Sequence, residues 1–229
     1  MLTSLPSYIG VAFTITTFLT VWFLYKASHN SKTVLTVVFA WLLLQAIVGL
    51  SGFYLVTDTF PPRIALLGAP TLILIIGLFT SEKGRRFIDS LDLKTLTYLH
   101  VTRIPVEIVL LWLFMYKQIP QLMTFEGRNY DILSGISAPI VAYLFFSKRS
   151  ISSRLLLTWN FICLLLLLNI VINAVLSAPI VFQQFAFDQP NVAILYFPFV
   201  WLPCCVVPIV LFAHLVAIRQ LIIGAKIQS

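Results

Sequence analysis

SSRLLLTWNFICLLLLLNIVINAVL, residues 152–176, holds one charged side chain, Arg154, in 25 positions. As an α-helix it would be about 37 Å long, against about 30 Å for the hydrocarbon core of a bilayer. The run is continuously apolar and shows no alternation of inward and outward residues. It therefore reads as a transmembrane helix and not as a barrel strand. Six further stretches have the same character: residues 6–25, 34–55, 64–80, 95–116, 129–146 and 193–217. The stretch at 64–80 is the shortest. The expected fold class is all-α integral membrane, with residues 1–229 forming a single seven-transmembrane-helix bundle.

Composition agrees. Of 229 residues, 60% are hydrophobic and 10% charged; soluble domains average about 45–50% and 25%. Mean hydropathy is +0.99. An ordinary soluble, disordered or fibrous chain is excluded. The 14% of aromatic residues suits lipid-facing helices and interfacial belts.

The net charge of +7 is explained by where the cations fall. With the N-terminus outside, the inner side carries Lys26, Lys32, Lys83, Arg85, Arg86, Lys94, Lys148, Arg149, Arg154, Arg219 and Lys226. The outer side carries Arg63, Lys117 and Arg128, and Arg103 lies within a span. That asymmetry predicts an outside N-terminus and a cytoplasmic C-terminus. No basic run, zinc spacing or stacking module suggests a nucleic-acid partner. The first 26 residues lack a basic n-region and a small-residue cleavage site, and read as a retained span. Together these features fit a bacterial inner membrane. The bilayer and a small-molecule or ion ligand are the expected partners.

Two connections carry structure of their own. SEKGRRFIDSLDLK, 81–94, spaces Phe87, Ile88 and Leu91 helically among charges and predicts a short interfacial helix. SAPIVFQQFAFDQPN, 177–191, is apolar with one charge, Asp188, and reads as an interfacial turn or an outer lid.

An ionisable side chain inside a span is costly and usually marks function. TYLHVTRIPVEIVLLW, 97–112, has three: His100, Arg103 and Glu107, at i, i+3 and i+7 on one helical face. Arg103 and Glu107 are expected to neutralise each other as an i, i+4 pair. Pro105 removes a backbone donor between them. At 1.5 Å per residue, His100 and Asn160 each lie about 9 Å from the inner boundary and His214 about 7–8 Å. These three side chains, from three helices, should therefore share one level.

FEGRNYDILSGISAP, 125–139, opens another span, with Asn129 as a helix cap and Asp131 complementing the helix dipole. In a functional reading both line a vestibule above Glu107. Ser134, Ala138 and Ala142 form a small-residue stripe that admits a close neighbour. Asn169 and Asn173 are read as glue to a neighbouring helix, and Gln45, Gly49 and Gly52 as a packing seam. FPFVWLPCCVVPIVLFAHL, 197–215, has three prolines that should kink its span. Cys163, Cys204 and Cys205 show no disulfide or metal spacing and read as buried thiols.

Seven helices in this orientation resemble rhodopsin-like proteins in shape only. A retinal Schiff base needs a lysine inside a span, and the lysines here lie in loops or at span ends, so that cofactor is rejected. No phosphate-binding, nucleophile-elbow or zinc-protease motif is present.

Three readings remain. The first binds or transports a small molecule, ion or proton at Arg103, Glu107, Asn160, Asn129 and Asp131. The second is a membrane enzyme or oxidoreductase with haem or a metal on His100 and His214. The third is a structural or regulatory subunit whose polar cluster sets packing.

Overall fold

The computed structural model describes residues 5–227. Residues 1–4, which bear on the external N-terminus, and the side chain of Lys226, counted with the inner cations, lie outside the described set. The described chain is all helical, without strands. In order, α1 is Ser7–Ala27, α2 Lys32–Leu50, α3 Ala65–Thr80, α4 Glu82–Ser90, α5 Leu93–Leu99, α6 Arg103–Met115, α7 Ile132–Ala142, α8 Ser153–Leu176 and α9 Val207–Ile227.

Five helical stretches are long and apolar enough to cross a membrane: Ser7–Ala27, Lys32–Leu50, Leu93–Met115, Ser153–Leu176 and Leu202–Gly224. The other two expected spans are shorter. Helix α3 has 16 residues and meets α4 at a 94° bend. Helix α7 has 11 and continues as a five-residue π-helical turn, Tyr143–Ser147. Sixteen residues rise about 24 Å, short of a full core.

Helices α1, α5, α6 and α9 form the densest packing. Helix α1 lies against α5 and α6, α9 lies against α8 and α5, and α7 covers α5 and α6. Three buried threonines of α1 satisfy themselves locally: Thr16, Thr17 and Thr20 each donate to the carbonyl four residues earlier. That lets polar side chains sit in an apolar helix. Helices α2 and α3 are peripheral. Helix α2 buries only Leu42, Gln45 and Gly49, and α3 only Leu67 and Ile75.

Several boundaries move for identifiable reasons. The expected span at 34–55 stops at Leu50, because Gly52 adopts φ 77° and turns the chain into the 3-10 turn Phe53–Leu55. The expected packing seam holds in part: Gly49 faces Val200 and Gln45 accepts from the Tyr54 hydroxyl at 2.5 Å, whereas Gly52 serves the turn. The expected interfacial helix at 81–94 is split. Ser81 caps α4, the chain turns at Leu91, and Asp92 caps α5 through the Thr95 N–H at 2.8 Å. The span expected at 193–217 begins later and runs further. Residues 193–195 are only a 3-10 turn, and continuous helix starts at Leu202 as a π turn, Leu202–Val206, that leads into α9. Pro198 and Pro203 lack the N–H an earlier start would need, whereas Pro208 lies inside the observed helix.

Helix α4 is tied to α9. Arg219 donates to both Asp89 oxygens, at 2.7 and 2.9 Å, and Gln220 donates to the Ile88 and Leu91 carbonyls. At the other end of the molecule, 177–191 is irregular and strapped to the 116–131 connection. Gln189 donates to Ile119 O at 2.6 Å, and the Val192 and Ala193 amides reach Gln118 O.

Candidate functional site

The site grows from Pro105. A proline cannot donate to the carbonyl four residues back, here Val101, and its ring crowds that carbonyl. The chain answers with a 3-10 turn, His100–Thr102, between α5 and α6. At three residues per turn, side chains i and i+3 eclipse. His100 and Arg103 therefore stand one above the other in mid-span, both buried, with exposures of 1% and 2%.

Above them lies an acidic half. Glu107 does not pair with Arg103, which corrects the expected i, i+4 ion pair. Both Glu107 oxygens accept from Asn129 Nδ2, each at 2.7 Å. The same nitrogen donates to Met123 O at 3.0 Å, and Asn129 Oδ1 accepts from the Asp131 N–H at 3.0 Å. Asn129 is therefore not the cap of α7. It closes a turn two residues long and spends its amide on Glu107, while Asp131 takes the cap position without a side-chain cap bond.

Arg103 meets Asp131 instead, Nη1 to Oδ1 at 2.9 Å, with both side chains almost fully buried. The N–H is not aimed at the oxygen, so the contact is an ion pair without a formed hydrogen bond. Arg103 also reaches the Cys163 carbonyl of α8 at 3.5 Å. The physical reason for this partner choice is the approach of α7. At Gly135, a Cβ would lie 2.9 Å from Ile104 Cγ1 and 3.3 Å from Arg103 Cβ. Only a residue without a side chain lets the start of α7 come this near the guanidinium. Ser134, Gly135, Ala138 and Ala142 are all buried along that face.

The other half is built on histidine. Asn160 Nδ2 donates to Leu156 O at 3.0 Å, which orients the amide. Its Oδ1 then accepts from His214 Nδ1 at 2.9 Å. His214 therefore carries its proton on Nδ1 and presents Nε2 as an acceptor. The His100 and His214 rings stack at 3.9 Å with 17° between planes. Trp159 stands edge-on to His100 at 5.6 Å and donates its indole N–H to Ser137 Oγ at 2.9 Å. The expected shared level of His100, His214 and Asn160 appears here as direct contact.

Haem ligation by this pair does not fit. Axial ligands approach iron from opposite faces of a macrocycle, and two imidazoles in van der Waals contact leave no space between them. Nor do His100, Glu107 and His214 converge: among the described residues no three His, Cys, Asp or Glu side chains are placed to hold a metal ion. The three cysteines are buried and free.

Buried polar atoms without a hydrogen-bond partner gather in this one place. They are His100 Nδ1, Thr102 Oγ1, Arg103 Nε and Nη2, Asp131 Oδ1, Ser134 Oγ and His214 Nε2. Asn191 Oδ1 is the one such atom among the described residues that lies elsewhere, at the end of the 177–191 strap. Orphaned buried groups are rare and costly. Apart from Asp131 Oδ1, which faces the Arg103 guanidinium in the ion pair, six around one junction describe a polar layer with unused donors and acceptors. Sequence reasoning missed Trp159, Thr102 and the hydroxyl of Ser134. A tryptophan or threonine in an apolar span carries no signal of its own, and Ser134 counts there only as small. Asn169 and Asn173 lie outside the layer: Asn169 donates to Arg128 O, and Asn173 to Asn169.

No curated protein and no solved structure matches this chain. A family model does match, over residues 60–222, from the turn before α3 to near the end of α9, and so includes every member of the polar layer. The chain belongs to that family, described as a domain of unknown function, DUF8737.

Proposed function

We propose that this protein is a seven-span integral membrane protein whose buried polar layer takes up a small charged species, and that this species is the proton. The observation that carries the reading is the gathering of six buried polar atoms without a hydrogen-bond partner around the Arg103–Asp131 ion pair, from His100, Thr102, Arg103, Ser134 and His214. A layer that only fixed packing would have its polar groups satisfied, since each unmade bond costs about 1–3 kcal/mol.

The proton suits the packing. Glu107, Asn129, Arg103, His100, Asn160 and His214 are each 2% exposed or less. Side chains so closely enclosed exchange protons more readily than they admit a large solute. Glu107 is the entry group on one side, held by Asn129. The stacked histidines, with Nε2 of His214 unprotonated, are the acceptors on the other. Arg103 holds Asp131 between the halves.

In this reading α3 and α7 also cross, their shortness absorbed by local thinning and by the neighbours they pack against. Eleven cations against three support an outside N-terminus and a cytoplasmic C-terminus, with α4 lying on the inner surface. The same asymmetry supports a bacterial inner membrane as the host.

The test is proton flux. Liposomes carrying the protein and a pH-sensitive dye should acidify under a potassium diffusion potential faster than protein-free liposomes. Glu107→Gln, folded by gel filtration, should lower the rate by about 10²-fold, the low end for a positioned acid–base group. Wild-type vesicles no faster than empty ones would sink the proton reading. Glu107→Gln that folds and conducts at the wild-type rate would favour a structural role for the cluster.

A further inference from the structure

A second feature lies apart from the polar layer and shares no residue with it. Helices α2 and α3 splay from one another and leave a cleft of about 670 Å³. Its walls include Val37, Ala40 and Leu44 on one side and Pro70 and Leu74 on the other, with Cys204 on its floor. The lining is almost wholly apolar. A smaller cavity of about 360 Å³ continues it past Trp41, Leu44 and Pro70 toward Gln45 and Tyr54. A volume of 670 Å³ is in the range of ligand sites, about 300–1,000 Å³.

The floor is unusual backbone. It is the π turn Leu202–Val206, whose Cys204 carbonyl is taken by the Trp41 indole N–H at 2.9 Å. The Trp201 indole returns a bond to Leu42 O at 3.0 Å. These two bonds hold α2 against the turn, and α3 packs on the turn from the other side, so the two helices meet at the floor and part above it. Single-turn π segments recur at functional sites.

Length and charge name the occupant. From Thr33 to Leu44, both lining, α2 rises about 16 Å, close to half of a core about 30 Å thick. The cleft therefore matches one chain of one leaflet. Its Thr33 and Phe87 end is flanked by basic residues: Lys32 precedes Thr33, Lys26 follows the lining Leu24, and Lys83 and Arg86 share α4 with Phe87. Lys26, Lys32, Lys83 and Arg86 are all exposed. Of these, only Arg86 has a carboxylate within ion-pair distance among the described residues, Glu82 at 3.6 Å. At the opposite end, Arg63 already lies over the Phe53 ring and bonds its carbonyl. Surface lysines near a bilayer attract anionic headgroups.

We infer that the cleft between α2 and α3 is a lateral site for one acyl chain of an anionic phospholipid, its phosphate headgroup against Lys32 and Lys83. The chain lies on the π turn, and the headgroup meets cations that have no partner of their own.

The experiment uses the full chain in bilayers of equal phosphatidylglycerol and phosphatidylcholine, re-extracted in detergent and weighed by native mass spectrometry. A retained phosphatidylglycerol, preferred over phosphatidylcholine, is expected. Ala40→Trp, which fills the cleft from an exposed position of α2, should reduce retention about tenfold, and Leu74→Trp from the α3 side should do the same. Lys32→Gln with Lys83→Gln should abolish the headgroup preference. Glu107→Gln should leave retention unchanged, which separates this site from the proton path. The inference is overturned by no retained lipid, by equal retention of both lipids, or by retention indifferent to both tryptophans in folded variants.

Discussion

At the scale of single residues, the deciding interaction is Arg103 with Asp131. Each charge is buried, and each is the other's only ionic partner among the described residues. Removing one leaves the other unpaired in a dry interior, at a cost of about 3–5 kcal/mol. Arg103→Gln and Asp131→Asn should each lower stability by that order in a denaturant titration. The double variant should lose clearly less than the sum. Additive losses would mean that the 2.9 Å contact carries no coupling.

A neighbouring residue prediction concerns Gly135. A methyl there meets Ile104 at 2.9 Å and Arg103 Cβ at 3.3 Å. Gly135→Ala should cost about 1–3 kcal/mol by overpacking, visible as a lower Tm. An unchanged Tm would show that α7 has room to withdraw.

At the scale of elements, the informative joint is the 3-10 turn between α5 and α6. Pro105→Ala restores the N–H that Val101 O lacks and lets the turn relax to α-helix. Three residues at 100° instead of 120° swing His100 by about 60° relative to Arg103. Stability should hold or rise, since an interior proline costs about 3 kcal/mol. Proton flux should fall, because His100 leaves the His214 ring. A variant that is both more stable and equally active would show the turn to be incidental.

The contact of α4 with α9 gives a pH prediction. The Arg219 hydrogen bonds hold the Asp89 carboxyl below its usual value, against a smaller opposing effect of burial. A depressed folded-state value means stability present above the ordinary pKa of 3.8 and lost as pH falls through the folded value. The Tm difference between wild type and Asp89→Asn should therefore be present at neutral pH and close below about pH 3.8. A difference that persists in acid would place the stabilisation elsewhere, for example in the Gln220 bonds.

At the scale of the whole molecule, the arrangement is a packed centre with a loose flank. Helices α1, α5, α6, α8 and α9 enclose the polar layer, with α7 inserted through its small-residue face. Helices α2 and α3 bury little and leave the apolar cleft. In the readings proposed above the two sites face different phases: the polar layer is enclosed by protein, and the cleft opens between two peripheral helices. Variants of one should leave the other unaffected, and the lipid and flux measurements read them separately.

Much of this was legible in the chain itself. A 25-residue run with one charge has few solutions other than a membrane helix, so the helical membrane class followed from residues 152–176 and their like. Helical geometry also placed His100, Arg103 and Glu107 on one face, and distances along three spans anticipated that His100, His214 and Asn160 would share a level. Partner choice was a different matter. Arg103 had Glu107 one turn away along its own helix, yet it took Asp131 from α7, because Gly135 lets that helix approach and Asn129 occupies Glu107. The histidines met as a stack and not across a haem, because ring orientation depends on the amide of Asn160 and the edge of Trp159. Local sequence sets periodicity, polarity and where proline breaks a ladder. Which buried donor finds which acceptor depends on how closely two helices can pack, and only the tertiary structure decides that distance.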